Sequence, residues 1–223
     1  MYKTSKETQE RKDVKRQFIL DTAAKVFSQK GYHYTSVKDI VEEANISIGS
    51  FYFYFKSKEE LFTELFVNIT KKFQKVTDKV LDVDHFSLSK NFTRVIIGNL
   101  WMYEQHKELA KIMLIEAAGV NPTFQKMRFD SIKESSSTVE NWFKRFKTNH
   151  AVNIPDEKTA ALIYEGSFYY LISDWLESDQ AIKLTDSGYA LCIYSLQALK
   201  ISFEDSDIRQ YITEVLEELT QSK

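Results

Sequence analysis

Apolar residues along this chain recur at intervals of three and four, and no segment shows sustained apolar/polar alternation. In 11–30, Phe18, Ile19, Ala23, Val26 and Phe27 fall on one helical face, and Gly31 stands where a helix ends in the left-handed conformation. A second, short helix starts near Thr35 or Ser36, with Val37, Ile40, Val41 and Ala44 as its apolar face. Ser36 and Asp39 have capping-box spacing, with Asp in place of the usual Glu or Gln. Asn45-Ile46-Ser47 breaks the pattern, and Ser47 is placed to cap a third helix from about Ile48 to Phe55. Ser57 and Glu60 form another box that opens a long helix striped by Phe62, Phe66, Ile69, Phe73, Val76 and Val80. Further helices are expected near 87–104, 107–118, 122–148, 155–178, 185–201 and 205–220, with Pro122 and Pro155 at helix starts. Ser135-Ser136-Ser137 weakens the middle of the 122–148 helix, because serine competes for backbone hydrogen bonds. The pattern predicts an all-α protein.

Composition agrees. There are 223 residues with only 2 prolines and 6 glycines, too little punctuation for many turn-linked strands. The longest uncharged run, Ser187 to Leu199, is too short to span a bilayer at about 20 residues. The start, MYKTSKETQERKDVKR, has no apolar core and predicts no signal peptide. The lone Cys192 excludes an internal disulfide and fits a reducing cytoplasm, where it reads as a small core hydrophobe. Net charge is −2, yet residues 1–60 carry 11 basic against 9 acidic side chains. Six of the basic ones (Lys3, Lys6, Arg11, Lys12, Lys15, Arg16) fall in the first 16 residues, a basic arm on an acidic body.

Two short helices joined by a three-residue turn and buttressed by a first helix make a helix-turn-helix. The residues from Ile19 to Leu65 closely resemble the DNA-binding domain of TetR-family transcriptional repressors. The matching features are Ala23-Ala24, Phe27, Gly31, Thr35-Ser36-Val37, Asp39-Ile40, Gly49, Phe51-Tyr52, Tyr54-Phe55 and Lys58-Glu59-Glu60-Leu61. The resemblance implies a DNA-binding domain over 1–57 and an effector-binding and dimerisation domain over 58–223, joined by a linking helix over 58–81. It also implies that Thr35, Ser36, Ser50, Tyr52, Tyr54 and Lys58 contact DNA. The physics of the third helix agrees: if Phe51 and Phe55 pack inward, Ser50, Tyr52, Phe53 and Tyr54 cannot all be core. Gly49 would let the backbone approach the duplex, and Ser47 and Ile48 stand beside it. Ile48 replaces a residue that is often polar in the family; it suits either a thymine methyl or internal packing. Asn45 replaces the usual turn glycine.

Beyond the motif, the resemblance is one of length and helix content. The remainder is rich in aromatic residues, which suits a core or a pocket for an apolar or aromatic effector. Trp101, Met113, Met127, Phe129 and Phe168 are the candidate lining. Gly166, Ser167, Gly188 and Ala198 suggest close helix contact, either within the chain or in a four-helix homodimer interface built from Tyr164, Phe168, Leu171, Trp175, Leu191 and Tyr194. No metal-ligand spacing links His33, His85, His106 and His150 to acidic or Cys partners, and no phosphate-cradling glycine loop occurs. The expected protein is therefore a cytoplasmic, homodimeric repressor that needs no cofactor. A small effector would release it from a palindromic double-stranded operator. A scaffold with a degenerate motif would be expected to have lost Gly49, Tyr52 or Lys58, and an enzyme would cluster titratable groups.

Overall fold

Capping chemistry decides where each helix starts. In a computed structural model that describes residues 6–81, 87–150 and 154–221, the chain forms helices with no strand among the described residues. Lys3, His85, His150, Val76 and Val80 lie outside the residues whose side chains are described. Helix α1 spans Lys6–Lys30, starting earlier than its apolar face suggested, and Phe18 is exposed beneath Lys15 rather than inward. Next come α2 (Val37–Glu43), α3 (Ile48–Tyr54) and α4 (Lys58–Leu81). They are followed by α5 (Leu88–Gln105), α6 (Lys107–Leu114) and a 3₁₀ turn at Glu116–Ala118. The remaining helices are α7 (Pro122–His150), α8 (Glu157–Glu177), α9 (Gly188–Ala198) and α10 (Asp205–Gln221), with a second 3₁₀ turn, Leu184–Ser187, before α9. Pro122 opens α7 as expected, but Pro155 precedes the cap of α8, which is Asp156 accepting from Thr159 N at 2.6 Å. The serine run does not interrupt α7; Ser137 turns its hydroxyl onto Lys133 O at 2.8 Å.

The helices sort into two compact units, Met1–Thr70 with Glu108–Lys126, and Lys71–Lys107 with Met127–Lys223. The expected boundary at 57/58 is therefore not where packing divides the chain: the first turns of α4, most of α6 and the start of α7 belong with α1–α3. Only burial reveals this. Phe62 and Phe124 are fully buried and their rings meet at 4.8 Å, while Phe27 lies 5.2 Å from Phe62. Aromatic rings in edge-to-face contact add about 0.5–1.5 kcal/mol beyond their buried area.

In the second unit α5 is the core helix, with Phe92, Ile96, Ile97 and Leu100 wholly buried. Its Phe92 stacks near Trp142 and Phe146 of α7, and Tyr164 of α8 closes the cluster against Phe143 and Phe168. Lys90 pairs with Glu214 at 2.7 Å and Arg94 with Glu218 at 2.8 Å, fixing α5 to α10. Glu104 caps the 3₁₀ turn by accepting from Thr185 N (3.0 Å) and Oγ1 (2.9 Å). Burial beside Thr93 pushes the Cys192 thiol up to about 12, so it is an inert core residue.

The two glycines of the expected helix contacts behave differently. Gly188 is the first residue of α9 rather than mid-helix, and a Cβ there would lie 2.3 Å from Ile97 Cδ1. At Gly166 a Cβ would meet nothing within 4 Å. Gly188 therefore serves a crossing within the chain, whereas Gly166 does not. Gly188→Ala should lower the thermal midpoint, because the buried Ile97 side chain must give way. Gly166→Ala should leave it unchanged or raise it by the helix-propensity gain of about 1 kcal/mol. Melting curves of the two variants check this; equal destabilisation would show that Gly166 is packed.

Candidate nucleic-acid interface

The helix-turn-helix is built from its caps inward. Gly31 has φ +79° and donates its N–H to Phe27 O at 2.8 Å, ending α1 in the left-handed region. Ser36 and Asp39 close the expected box, with Asp39 N on Ser36 Oγ at 3.2 Å and Ser36 N on Asp39 Oδ2 at 2.8 Å. Lys30 donates to the other Asp39 oxygen at 2.6 Å, tying the end of α1 to the start of α2. The lysine hydrogen bond first, then those from Ser36, hold this carboxyl well below the usual carboxylate range. The turn passes through Asn45 at φ +48°, which asparagine tolerates. Ile46 N reaches back to Val41 O at 3.0 Å, and Ser47 caps α3 by accepting from Ser50 N at 3.1 Å.

Alternation of inward and outward residues then makes a binding face. Phe51 and Phe55 are buried to 1% or less, anchoring α3, while Tyr52 (54% exposed) and Phe53 (65%) project outward. Ser36, Ser47, Ile48 and Gly49 are exposed too; Ser50 and Tyr54 are half-buried. Ile48 thus takes the outward of its two alternatives. A Cβ on Gly49 would touch only Ser47 Oγ, at 3.9 Å, so the fold does not require glycine there. Lys12 lies 5.4 Å from the Phe53 ring, which brings a basic side chain of α1 to the same face. Arg16 is different: it forks onto Glu64, donates to Tyr54 O at 2.5 Å and covers Phe55 at 4.3 Å, bracing the end of α3 against α1 and α4.

Two residues expected to touch DNA are engaged inside the unit instead. Thr35 is 2% exposed and its hydroxyl donates to Gly31 O at 2.7 Å. The Lys58 ammonium donates to both Tyr32 O and Thr35 O at 2.7 Å and sits 4.1 Å from the Tyr32 ring. Burial lowers its pKa from the ordinary lysine value. Lysine is long enough to reach both carbonyls, Tyr32 O also accepting from Thr35 N at 3.3 Å, so Lys58 clasps the loop before α2 to the first turn of α4.

Sequence reasoning missed a second support. Glu116 accepts from Tyr32 N at 3.1 Å, His33 Nε2 donates to Gly119 O at 3.2 Å, and Asn121 Nδ2 donates to Glu59 Oε1 at 2.7 Å. No local pattern announces partners more than sixty residues apart. Tyr32, exposed on neither side of this loop, stacks its edge on Phe62 and Phe124.

Of the expected effector-lining residues, Met113 lies in the first unit, and Trp101, Met127, Phe129 and Phe168 in the second. Phe129 is 56% exposed, and Phe168 is buried in the ring cluster. The expected dimer set divides as well. Tyr164, Phe168 and Leu191 are buried within the chain, Leu171 and Trp175 are half-buried, and Tyr194 is exposed. Trp175 donates its indole N–H to Ile182 O at 2.9 Å. The exposed apolar residues of α8 are instead Leu162, Ile163 and Tyr170.

A capped, buttressed helix offering tyrosine, serine and an unneeded glycine defines the class: a helix-turn-helix DNA-binding regulator. Residues 19–65 match the family model for bacterial regulatory proteins of the tetR family. The chain is 27% identical over 165 residues to the HTH-type transcriptional regulator YhgD of Bacillus subtilis, covering 72% of this chain and 84% of that one. It is 28% identical over 191 residues to the regulator AcrR of Shigella flexneri, covering 82% and 86%. Its fold resembles that of FadR from Bacillus subtilis, solved with stearoyl-CoA, at a TM-score of 0.71 and 17% identity over 84% of this chain and 99% of that one. Over residues 19–65 the chain carries the DNA-binding domain of tetR-family bacterial regulators, and over most of its length it is similar to HTH-type transcriptional regulators.

Gly49→Ala should leave the fold as stable or about 1 kcal/mol more stable, since helix propensity improves. It should nevertheless weaken binding to a selected operator, because the added methyl stands on the approach face. Tyr52→Ala should cost about 1–3 kcal/mol at the operator and relax sequence preference. Paired melting and binding measurements check both; operator affinity unchanged in the two folded variants would remove this face from the interface.

The Asp39 carboxyl has a folded pKa below its unfolded value, so its stabilising contribution is present above about pH 4 and fades as pH falls through that range. The difference in stability between the parent and Asp39→Asn should therefore shrink steadily on acidification below pH 4. Chemical denaturation across that range tests the sign: a gap that widens on acidification would assign Asp39 the opposite role.

Proposed function

We propose that this regulator is a homodimeric repressor that occupies a palindromic double-stranded operator in the cytoplasm and is released by a small apolar or aromatic effector. Ser36, Ser47, Ile48, Gly49, Ser50, Tyr52 and Tyr54 form the DNA face in this reading, with the basic arm adding phosphate contacts. Thr35 and Lys58 act mainly by holding the loop before α2 in shape. The observation that carries the reading is that α3 is anchored by buried Phe51 and Phe55 while Ser47, Ile48, Gly49 and Tyr52 stand exposed.

A second copy of the chain is the natural partner for α8 and α9. Ile163, Gly166, Ser167 and Tyr170 follow one another at helical spacing, and Tyr170 is 76% exposed. On α9 the exposed positions are Ala190, Tyr194, Gln197 and Ala198, again one face with small residues. The open space at Gly166 would let another backbone come close, and a two-fold axis would make the contact self-complementary. Two recognition helices then meet half-sites about one turn of DNA apart or more.

For the effector, the second unit supplies a helical bundle rich in rings, and the related fold of FadR was solved with a long acyl thioester. Release requires that the effector bind the free and DNA-bound forms unequally, and DNA must then change effector affinity by the same factor. Helix α4 begins in the DNA-binding unit and its later turns belong to the second, a continuous element for that coupling.

Operator selection with the purified protein, followed by a screen for compounds that displace it, tests the reading; binding random duplex as tightly as any selected site would defeat it. Gly166→Leu, whose Cβ would meet nothing within 4 Å, should keep the fold yet sediment as a monomer at micromolar concentration. Its operator affinity should fall by at least about tenfold, roughly 1.4 kcal/mol. A dimeric Gly166→Leu with full operator affinity would move the interface elsewhere.

A further inference from the structure

Helix α3 has no charged and no amide side chain: from Ile48 to Tyr54 it reads IGSFYFY. That composition restricts which bases it can select. In the major groove guanine is matched by Arg or Lys, adenine by Asn or Gln, and cytosine by Glu or Asp, and α3 offers none of these. Its hydroxyls, on Ser50, Tyr52 and Tyr54, suit several base edges and phosphate alike, so they discriminate weakly. Ser36, at the start of α2, commits its hydroxyl proton to Asp39. One base-edge group remains that an uncharged aliphatic side chain recognises, the C5 methyl of thymine.

Ile48 is placed for that contact. It is the first residue of α3 and is 53% exposed, whereas Ile40 and Val41 of α2 are buried. Tyr52, 54% exposed, stands one turn further along the same face, and Gly49 beside Ile48 presents no side chain. A single exposed isoleucine is ordinary on a protein surface. What sets Ile48 apart is its place at the start of this outward face, next to residues that suit DNA. Its β-branched side chain has one strongly preferred rotamer in a helix, so little freedom is lost when it packs on a base.

We propose that Ile48 is a specificity-determining residue that packs on the 5-methyl group of a thymine, so that each operator half-site carries an A·T pair under the start of α3. The inference rests on the reading of α3 as the DNA-contacting helix and specifies which base that helix selects. Lys12, 5.4 Å from the Phe53 ring, adds charge for phosphate without base preference.

The test uses the full-length protein and its selected operator, with thymidine replaced by deoxyuridine at one symmetric pair of positions at a time. The exchange removes a methyl group and leaves every hydrogen-bonding group of the base in place. Burying one methyl is worth about fourfold in affinity, so its loss from both half-sites should weaken binding roughly tenfold at the position that Ile48 reads. Ile48→Ser should bind the thymidine and deoxyuridine operators equally at that position. Its salt slope should equal the parent's, because no phosphate contact is lost. Ile48→Val should keep the thymidine preference. Melting curves establish that each variant folds; should Ile48→Ser not fold, Ile48→Ala, a stronger helix former, takes its place with the same expected loss of preference. An operator indifferent to deoxyuridine at every position overturns the inference, and so does a penalty that survives unchanged in the folded variant. Either result leaves DNA binding itself standing. Random duplex bound as tightly as any selected site overturns both this inference and the reading beneath it.

Discussion

The clasp formed by Lys58 holds the loop on which the geometry of the helix-turn-helix depends. One ammonium joins two backbone carbonyls, at Tyr32 and Thr35, to the first turn of α4, and it lies against the Tyr32 ring. Within the loop between α1 and α2, Thr35 donates its N–H to Tyr32 O at 3.3 Å and its hydroxyl to Gly31 O at 2.7 Å, and the ammonium adds to these. A charged donor that reaches Tyr32 O and Thr35 O at once is stronger than a neutral one. Once that loop is set, Ser36 can cap α2, Asp39 can receive Lys30, and α3 is presented at a fixed angle. Arg16 performs the matching task at the far end of α3 through Glu64 and Tyr54 O.

This arrangement explains why so short a helix serves as a reader. Seven residues cannot sustain a helix alone in water. Phe51 and Phe55 supply the anchor, the Ser47 cap satisfies the first turn, and Ile48, Gly49 and Tyr52 stay exposed. The unit's second support, from Glu116, Gly119, Asn121 and Phe124, extends the DNA-binding body well beyond the motif. The segment that carries these residues leaves and re-enters the second unit, so each of the two compact bodies is assembled from separated stretches of chain.

Glycines show how the same residue type answers different demands. Gly31 needs its positive φ, and Gly188 needs the absence of a side chain against Ile97. Gly49 and Gly166 meet neither demand within their own unit. Each weakens its helix without serving the packing of its own unit.

Local chemistry was legible in the sequence: the period of three and four, the Ser36–Asp39 box, the Ser47 cap, the glycine stop at 31 and the all-α class are all short-range physics written in neighbouring residues. The inward turn of Phe51 and Phe55 was legible for the same reason, because a four-residue spacing assigns a face. What sequence could not decide was which of several apolar or polar side chains would find a distant partner. Lys58 and Thr35 look like surface residues until Tyr32 and Gly31 are brought beside them. Phe168 and Leu191 look like interface residues until they are buried within the chain, and Phe129 looks like pocket lining although α7 leaves it 56% exposed. Burial is a property of how helices pack, and packing pairs residues through space with no regard for their separation along the chain.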